Sequence, residues 1–188
     1  MIFFMTYSHP YCTYASSQSQ ANVHRLYHDT AYGFPIDSDW ELYGRLILEI
    51  NQAGLSWNLI LTKEENFRKA FLDWDIDQIA KFKEKDFDRL INDVGIIRNR
   101  LKINAAIHNA LVVKSLQQQM GSFRNWLDHH HPMPKEEWVK LFKKTFRFTG
   151  GEIVNEFLMS CGYLPGAHSE DCPIFKKILK MKPKWKNP

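Results

Sequence analysis

Cysteine is scarce in this sequence: only Cys12, Cys161 and Cys172 occur in 188 residues. A secreted disulfide framework normally carries a denser, even set, so a reducing cytoplasmic setting is expected. Long hydrophobic runs are missing too. No stretch approaches the roughly 18 apolar residues that span a bilayer. The opening MIFFMTYSHP has neither a basic n-region nor a small-residue cleavage site, so neither export nor a membrane anchor is expected. Convincing strand periodicity and internal repeats are also lacking. The charge balance stops short of a polybasic tail: +4 formally, with a pI near 8.9, enough to favour a phosphate-binding face without proving a partner.

What is present is ordinary globular material, 44% hydrophobic and 24% charged, which argues against disorder. A chain of this length makes one compact unit or two small lobes sharing a core. Residues 1–188 are read as one unit, with 1–36 plus 150–188 forming one lobe and 37–149 a helical lobe. Residues 1–36 are rich in Ser, Gln, Tyr and His without clear period, and read as an irregular arm.

From Ser38 the pattern turns helical. Ser38 and Glu41 have capping-box spacing, and Trp40, Tyr43, Leu46, Ile47 and Ile50 follow on one face as far as Gly54. A second helix is expected from Ser56 to Phe71, and a third capped by Asp75. A short apolar helix around Leu90, a tight Asn92-Asp93-Val94-Gly95 turn and a long helix from Arg98 to Gln118 make a helix-hairpin-helix near 84–118. Helices over Ser122–His130 and Pro134–Lys144, and one from Gly151 to a stop at Gly162, complete an all-α fold. The lysine-rich tail is at most a short helix followed by a solvated end.

Four residues suggest metal. His168 and Cys172, with three residues between them, would share a face on a helical turn; with Cys12 and His28 they make a Cys2His2 set, a common closed shell for structural zinc. Spacing alone equally allows unpaired thiols and surface histidines. Cys161, on an apolar helical face, reads as core, and His129-His130-His131 as a solvated helix end.

The Leu90-to-Arg98 hairpin starts a helix directly after a glycine turn, where free backbone N–H groups can hold a DNA phosphate. Gly95, Ile96, Arg98 and Lys102 are the candidate DNA contacts there, with Arg100 nearby; an ordinary helix–helix turn is the alternative. A flipped base needs flat faces, a hydrogen-bonding group at its edge and an apolar wedge for the gap left behind. Tyr27, Tyr32 and Trp57 could supply faces, Glu49 the edge group and Leu55 the wedge; core packing and an ion pair are the plainer roles.

Taken together, Tyr27-His28-Asp29, Gly33 with Pro35, Gln52-Ala53-Gly54-Leu55-Ser56-Trp57, Gly95-Ile96-Ile97-Arg98 and Phe146-Arg147-Phe148 occur in an order that resembles the DNA-3-methyladenine glycosylase I family of helix-hairpin-helix glycosylases, over about residues 25–172. The resemblance implies an all-helical fold with structural zinc on Cys12, His28, His168 and Cys172. It also implies contacts from Glu49, Tyr27 and Trp57 to the excised base, and Leu55 in the loop that probes the lesion. The expected partner is double-stranded DNA bearing alkylated bases, and nothing demands more than a monomer. Ala31-Tyr32-Gly33 departs from the acidic residue and Trp that the family usually places before this glycine, and Gly151-Glu152 stands where a Thr pair is usual.

An N3-alkylated adenine is cationic, so its glycosidic bond is already weak. Ring faces attract a cation by about 0.5–2 kcal/mol each, and an ionised Glu49 would add a charge-assisted hydrogen bond. Glu49 is therefore expected to recognise and orient the base more than to activate water, and Glu152 is a candidate second carboxylate, with helix capping as its alternative. Two other classes stay open on sequence: a non-catalytic zinc-containing helix-hairpin-helix DNA-binding protein, and a hydrolase with an open His-Cys zinc site.

Overall fold

A computed structural model describes residues 6–186. Its elements are helical throughout the described residues, without a strand, and the chain divides into two compact units. One unit comprises the described residues up to Pro35 and those from Leu158 onward; the other runs from Ile36 to Phe157. No helix among the described residues is long and apolar enough to cross a membrane.

The first unit corrects the expectation of an irregular arm. Pro10–Ser17 forms α1 and Val23–Thr30 forms α2. Neither stretch has the long amphipathic period by which helices are recognised, because each is only two turns long. Local chemistry starts them instead: Pro10 opens α1 with its fixed φ, and the Asn22 side chain caps α2 by accepting from the His24 amide at 2.8 Å.

The second unit is built on α3, Asp39–Gln52, followed by α4, Trp57–Ala70, α5, Ile76–Ile79, α6, Glu84–Asn92, and the long α7, Arg100–Met120. Helices α8, Phe123–His130, and α9, Lys135–Thr145, come next, and α10, Gly151–Ser160, carries the chain into the first unit. The caps read from sequence are formed at Ser38 and Asp75, and Ser56 and Ser122, expected only as helix starts, cap their helices as well. On α3 the buried stripe is Leu42, Tyr43, Leu46, Ile47 and Ile50, with Trp40 left largely in solvent. Burying each such side chain is worth about 1.5–3 kcal/mol relative to exposure.

Polar ties fix this core. Tyr43 donates its hydroxyl to the Ala106 carbonyl at 2.9 Å, joining α3 to α7. The Asp39 carboxylate accepts from the Phe123 and Arg124 amides at 2.8 and 3.0 Å, so the first residue of α3 caps α8. Between α4 and α5, Leu72, Asp73 and Trp74 all take positive φ, 51, 55 and 65°, a left-handed turn that lays the Trp74 indole against Gly44.

In the first unit α11, Pro173–Lys180, follows the second half of the metal-type residues, and a short 3-10 turn covers Lys184–Lys186. The end is not simply solvated: the Trp185 ring lies 6.0 Å from that of Phe175, and the Trp185 amide donates to the Gly162 carbonyl at 3.3 Å.

Candidate functional site

Cys12 in α1, His28 in α2, His168 and Cys172 come together in the first unit, all four buried, with their potential ligand atoms within 4.8 Å of one another. Cys12 Sγ lies 3.6 Å from His168 Nδ1, and Cys172 Sγ lies 3.6 Å from both His168 Nδ1 and His28 Nε2. The spacing of His168 and Cys172 is realised by a turn rather than by a helix: the Cys172 amide donates to the Ser169 carbonyl at 2.9 Å, and Cys172 is the N-cap of α11.

The outer ring nitrogens explain why the inner ones face sulfur. His28 Nδ1 is 2.7 Å from Asp29 Oδ1, and His168 Nε2 is 2.8 Å from the Tyr32 carbonyl oxygen. Both partners are acceptors, so each ring donates outward and turns an unprotonated nitrogen inward. Burial acts in the same sense, pushing the His168 pKa down to about 4 and lowering that of His28. Burial also raises the Cys12 thiol to about 11, so that sulfur would become a thiolate at neutral pH only against a cation. The Cys/His group could hold a metal ion. Cys161 stays apart in the core, its thiol 3.8 Å from the Leu158 carbonyl.

Tyr27 and Tyr32 are nearly buried in the same unit, their rings 5.5 Å apart at 31°, and the Tyr32 ring lies 5.6 Å from His168. Tyr32 thus touches the metal-type cluster through both its ring and its carbonyl.

In the second unit, Glu49 occupies the last turn of α3 and is 4% exposed. Burial lifts its pKa from an ordinary 4.5 to about 8; Arg45, one turn earlier, pulls downward and Glu156 pushes upward. A carboxyl in that setting favours its neutral form unless a positive charge stands against it. Glu152 is 86% exposed at its side chain and lies 3.5 Å from Lys135; the second carboxylate acting on Glu49 is Glu156, one turn further along α10. After Glu49, Leu55 closes a tight turn, its amide donating to the Gln52 carbonyl at 2.7 Å, and Gly54 takes φ of 78°. Leu55 and Trp57 are both half-buried.

The hairpin is held from two sides. Asp93 Oδ1 accepts the Gly95 amide at 2.7 Å, and Lys63 of α4 donates to the Val94 and Gly95 carbonyls at 2.9 and 3.0 Å. The Gly95 amide is therefore engaged within the turn, and Ile96 is a buried anchor. The amides of Ile97 and Arg98, which follow, have no acceptor among the described residues, and the Arg98 side chain is exposed. Lys102 is placed otherwise than expected for a phosphate contact. It is buried, and its ammonium donates to the Asn51 and Ala53 carbonyls at 2.8 and 2.7 Å.

Sequence reasoning missed Arg45, Glu156 and Lys63, for which no local pattern exists, and the outward role of Asp29, for which the signal was present: a carboxylate directly beside a candidate metal histidine.

The chain resembles known proteins over most of its length. The methyladenine glycosylase family model matches residues 17–140. DNA-3-methyladenine glycosylase 1 of Escherichia coli (strain K12) is 32% identical over 163 residues, covering 77% of this chain and 87% of that protein. DNA-3-methyladenine glycosylase of Haemophilus influenzae is 31% identical over 181 residues, covering 86% and 96%. A solved structure of 3-methyladenine DNA glycosylase I from Staphylococcus aureus, concerned with 3-methyladenine recognition, superposes with a TM-score of 0.74 at 28% identity, over 83% of this chain and 93% of that one. Family model, full-length relatives and all-helical architecture agree: the chain belongs to the methyladenine glycosylase family.

Proposed function

We propose that this protein excises 3-methyladenine from alkylated DNA by hydrolysing its glycosidic bond. The observation that carries the proposal, beside family membership, is Glu49: a buried carboxyl whose pKa is raised to about 8, at the helix end that leads into Gln52-Ala53-Gly54-Leu55-Ser56-Trp57. A neutral adenine meets a protonated acid there. A base methylated at N3 brings a positive charge, which draws Glu49 to its carboxylate form and gains a charge-assisted hydrogen bond.

In the reaction, the bond between C1′ and N9 breaks with its electron pair going to the base, so the cationic base leaves neutral. Water adds its hydroxyl to C1′ and its remaining proton passes to solvent. Glu49 recognises and orients. Trp57 offers a stacking face to the base, and Leu55 fills the gap left in the duplex. Tyr27 and Tyr32 are assigned as further ring faces on the family resemblance. The hairpin grips a phosphate through the Ile97 and Arg98 amides and the Arg98 side chain, with Gly95 and Ile96 shaping the turn.

The metal at Cys12, His28, His168 and Cys172 is assigned as zinc in a structural role. Ordinary zinc bond lengths in a tetrahedral shell put sulfur and nitrogen about 3.5 Å apart; three of the four sulfur–nitrogen separations here are 3.6 Å, and all the ligand atoms lie within 4.8 Å of one another. Four protein ligands would fill the shell, so the ion would tie the chain ends together and supply no reacting water.

Incubation with methylated duplex DNA and identification of the released bases tests the reading. Free 3-methyladenine accumulating with time is expected; a protein that binds the duplex and releases nothing would instead be a non-catalytic DNA-binding module.

A further inference from the structure

Lys102 stands in the first turn of α7, immediately after the hairpin, with its amide capped by Asn99 Oδ1 at 3.2 Å. Its side chain is 4% exposed and runs to the end of α3, where the carbonyls of Asn51 and Ala53 accept from the ammonium. These groups lie at the negative end of the α3 dipole, where helical carbonyls have lost their partners and a cation is favoured. The ring of Phe148, 6.0 Å from Nζ, covers another side. Phe148 itself is held in a left-handed conformation, φ 61°, after Arg147, whose amide and carbonyl are both clamped by the buried Asn109 side chain at 2.8 and 3.1 Å.

The loop that Lys102 reaches has few other anchors. Among the described residues, the remaining hydrogen bonds of residues 53–56 are local: Leu55 to Gln52 in both directions, and Ser56 to the Leu59 amide. Gly54 has open space where a Cβ would point. Lys102 therefore supplies the long-range tie of this loop, and it does so from the helix that the hairpin begins.

We propose that Lys102 is a positioning residue that locks the 53–56 loop to the hairpin helix, so that the wedge Leu55 and the ring of Trp57 keep a fixed register relative to the gripped phosphate. The proposal deepens the excision reading above and rests on it. A lysine that served only to cap α3 would stabilise the helix without affecting base release specifically; a lysine that sets register controls how often the bound duplex yields a captured base. Preorganisation of this kind acts on the captured state, since misplacement by about 1 Å can cost on the order of a hundredfold in rate.

The test compares Lys102→Met, which keeps the stem and removes the donors, with Lys102→Arg, which restores them. Three readouts are taken: the single-turnover rate of 3-methyladenine release, affinity for a duplex carrying an abasic-site analogue, and amide hydrogen exchange. Lys102→Met is expected to slow release by about tenfold or more with affinity changed by less than about threefold, and to speed exchange selectively over residues 53–57; Lys102→Arg recovers most of both. Release at the wild-type rate in the Met variant, or loss of exchange protection spread evenly over the unit, overturns the proposal. If the Met variant does not fold, Lys102→Gln, whose shorter stem holds its amide N–H groups back from the two carbonyls, is judged by the same outcomes. Wild-type protein that releases no base defeats the excision reading and this proposal's register role with it, while unchanged loop exchange beside normal wild-type release defeats the proposal alone.

Discussion

Asp29 Oδ1 accepts the Nδ1 proton of His28 at 2.7 Å, and the same carboxylate, through Oδ2, holds Arg25 Nε at 2.6 Å. One acid thus orients a buried imidazole from outside while being oriented itself from the preceding turn of α2.

Removing that acid should weaken metal binding without deleting a ligand. Asp29→Asn is expected to lower zinc affinity by about 10- to 100-fold, whereas Cys172→Ser should abolish tight binding. Competition with a chromophoric chelator measures both, and wild-type protein should retain about one zinc per chain. An Asp29→Asn protein with wild-type affinity would mean that the outer hydrogen bond does not tune the ligand.

Glu49 gives a pH signature in stability. Its folded pKa, about 8, lies above the ordinary 4.5, so the fold binds a proton that the unfolded chain gives up between those values. The resulting stabilisation is fully present below about pH 4.5 and is lost as pH rises through about 8. Thermal melts of wild type and Glu49→Gln should therefore converge in acid and separate in alkali, the Gln variant melting higher above about pH 8. Parallel melting curves at every pH would show that Glu49 is not the buried titrating group.

The same substitution should damage excision. Loss of one charge-assisted hydrogen bond predicts a fall in kcat/KM of about 10- to 100-fold, while Glu152→Gln, exposed beside Lys135, should stay within about twofold of wild type. In wild type kcat/KM should rise toward about pH 8 as free Glu49 ionises. Full activity in Glu49→Gln would remove the carboxyl from the recognition scheme.

Gly44 tests the packing of the second unit. A Cβ there would lie 2.6 Å from Trp74 Nε1, and the indole is buried in a left-handed turn with little room to withdraw. Gly44→Ala should cost about 1–3 kcal/mol through overpacking, despite alanine's better helix propensity, and urea denaturation would report it.

Arg98→Ala should weaken binding to damaged and undamaged duplexes alike and reduce the slope of log affinity against log salt by about one. A selective loss for damaged DNA would move Arg98 from phosphate to base.

The long helices were legible because burial imposes a period over many turns. The stripe of Tyr43, Leu46, Ile47 and Ile50 and the caps at Ser38 and Asp75 could be read off directly. Helices α1 and α2 were not, since two turns carry too little period and the residues they bury, Cys12 and Ala15 in α1 and His24, Tyr27 and His28 in α2, are mostly not the aliphatic residues by which a core face is recognised. The four metal-type residues could be collected by chemistry, but the turn that presents Cys172 could not be told from a helix at the same spacing. Lys102 shows the limit most clearly. A lysine in a basic hairpin looks like a phosphate contact, and only the fold reveals two carbonyls at the end of its stem.

The first unit is assembled from the two ends of the chain. During synthesis Cys12 and His28 leave the ribosome early, and their partners His168 and Cys172 emerge only after the whole second unit has been made. A chain cut short before His168 holds half of the cluster. Closing the cluster therefore waits until residues from both parts of the first unit have been made, so its assembly is a late event in the folding of the chain.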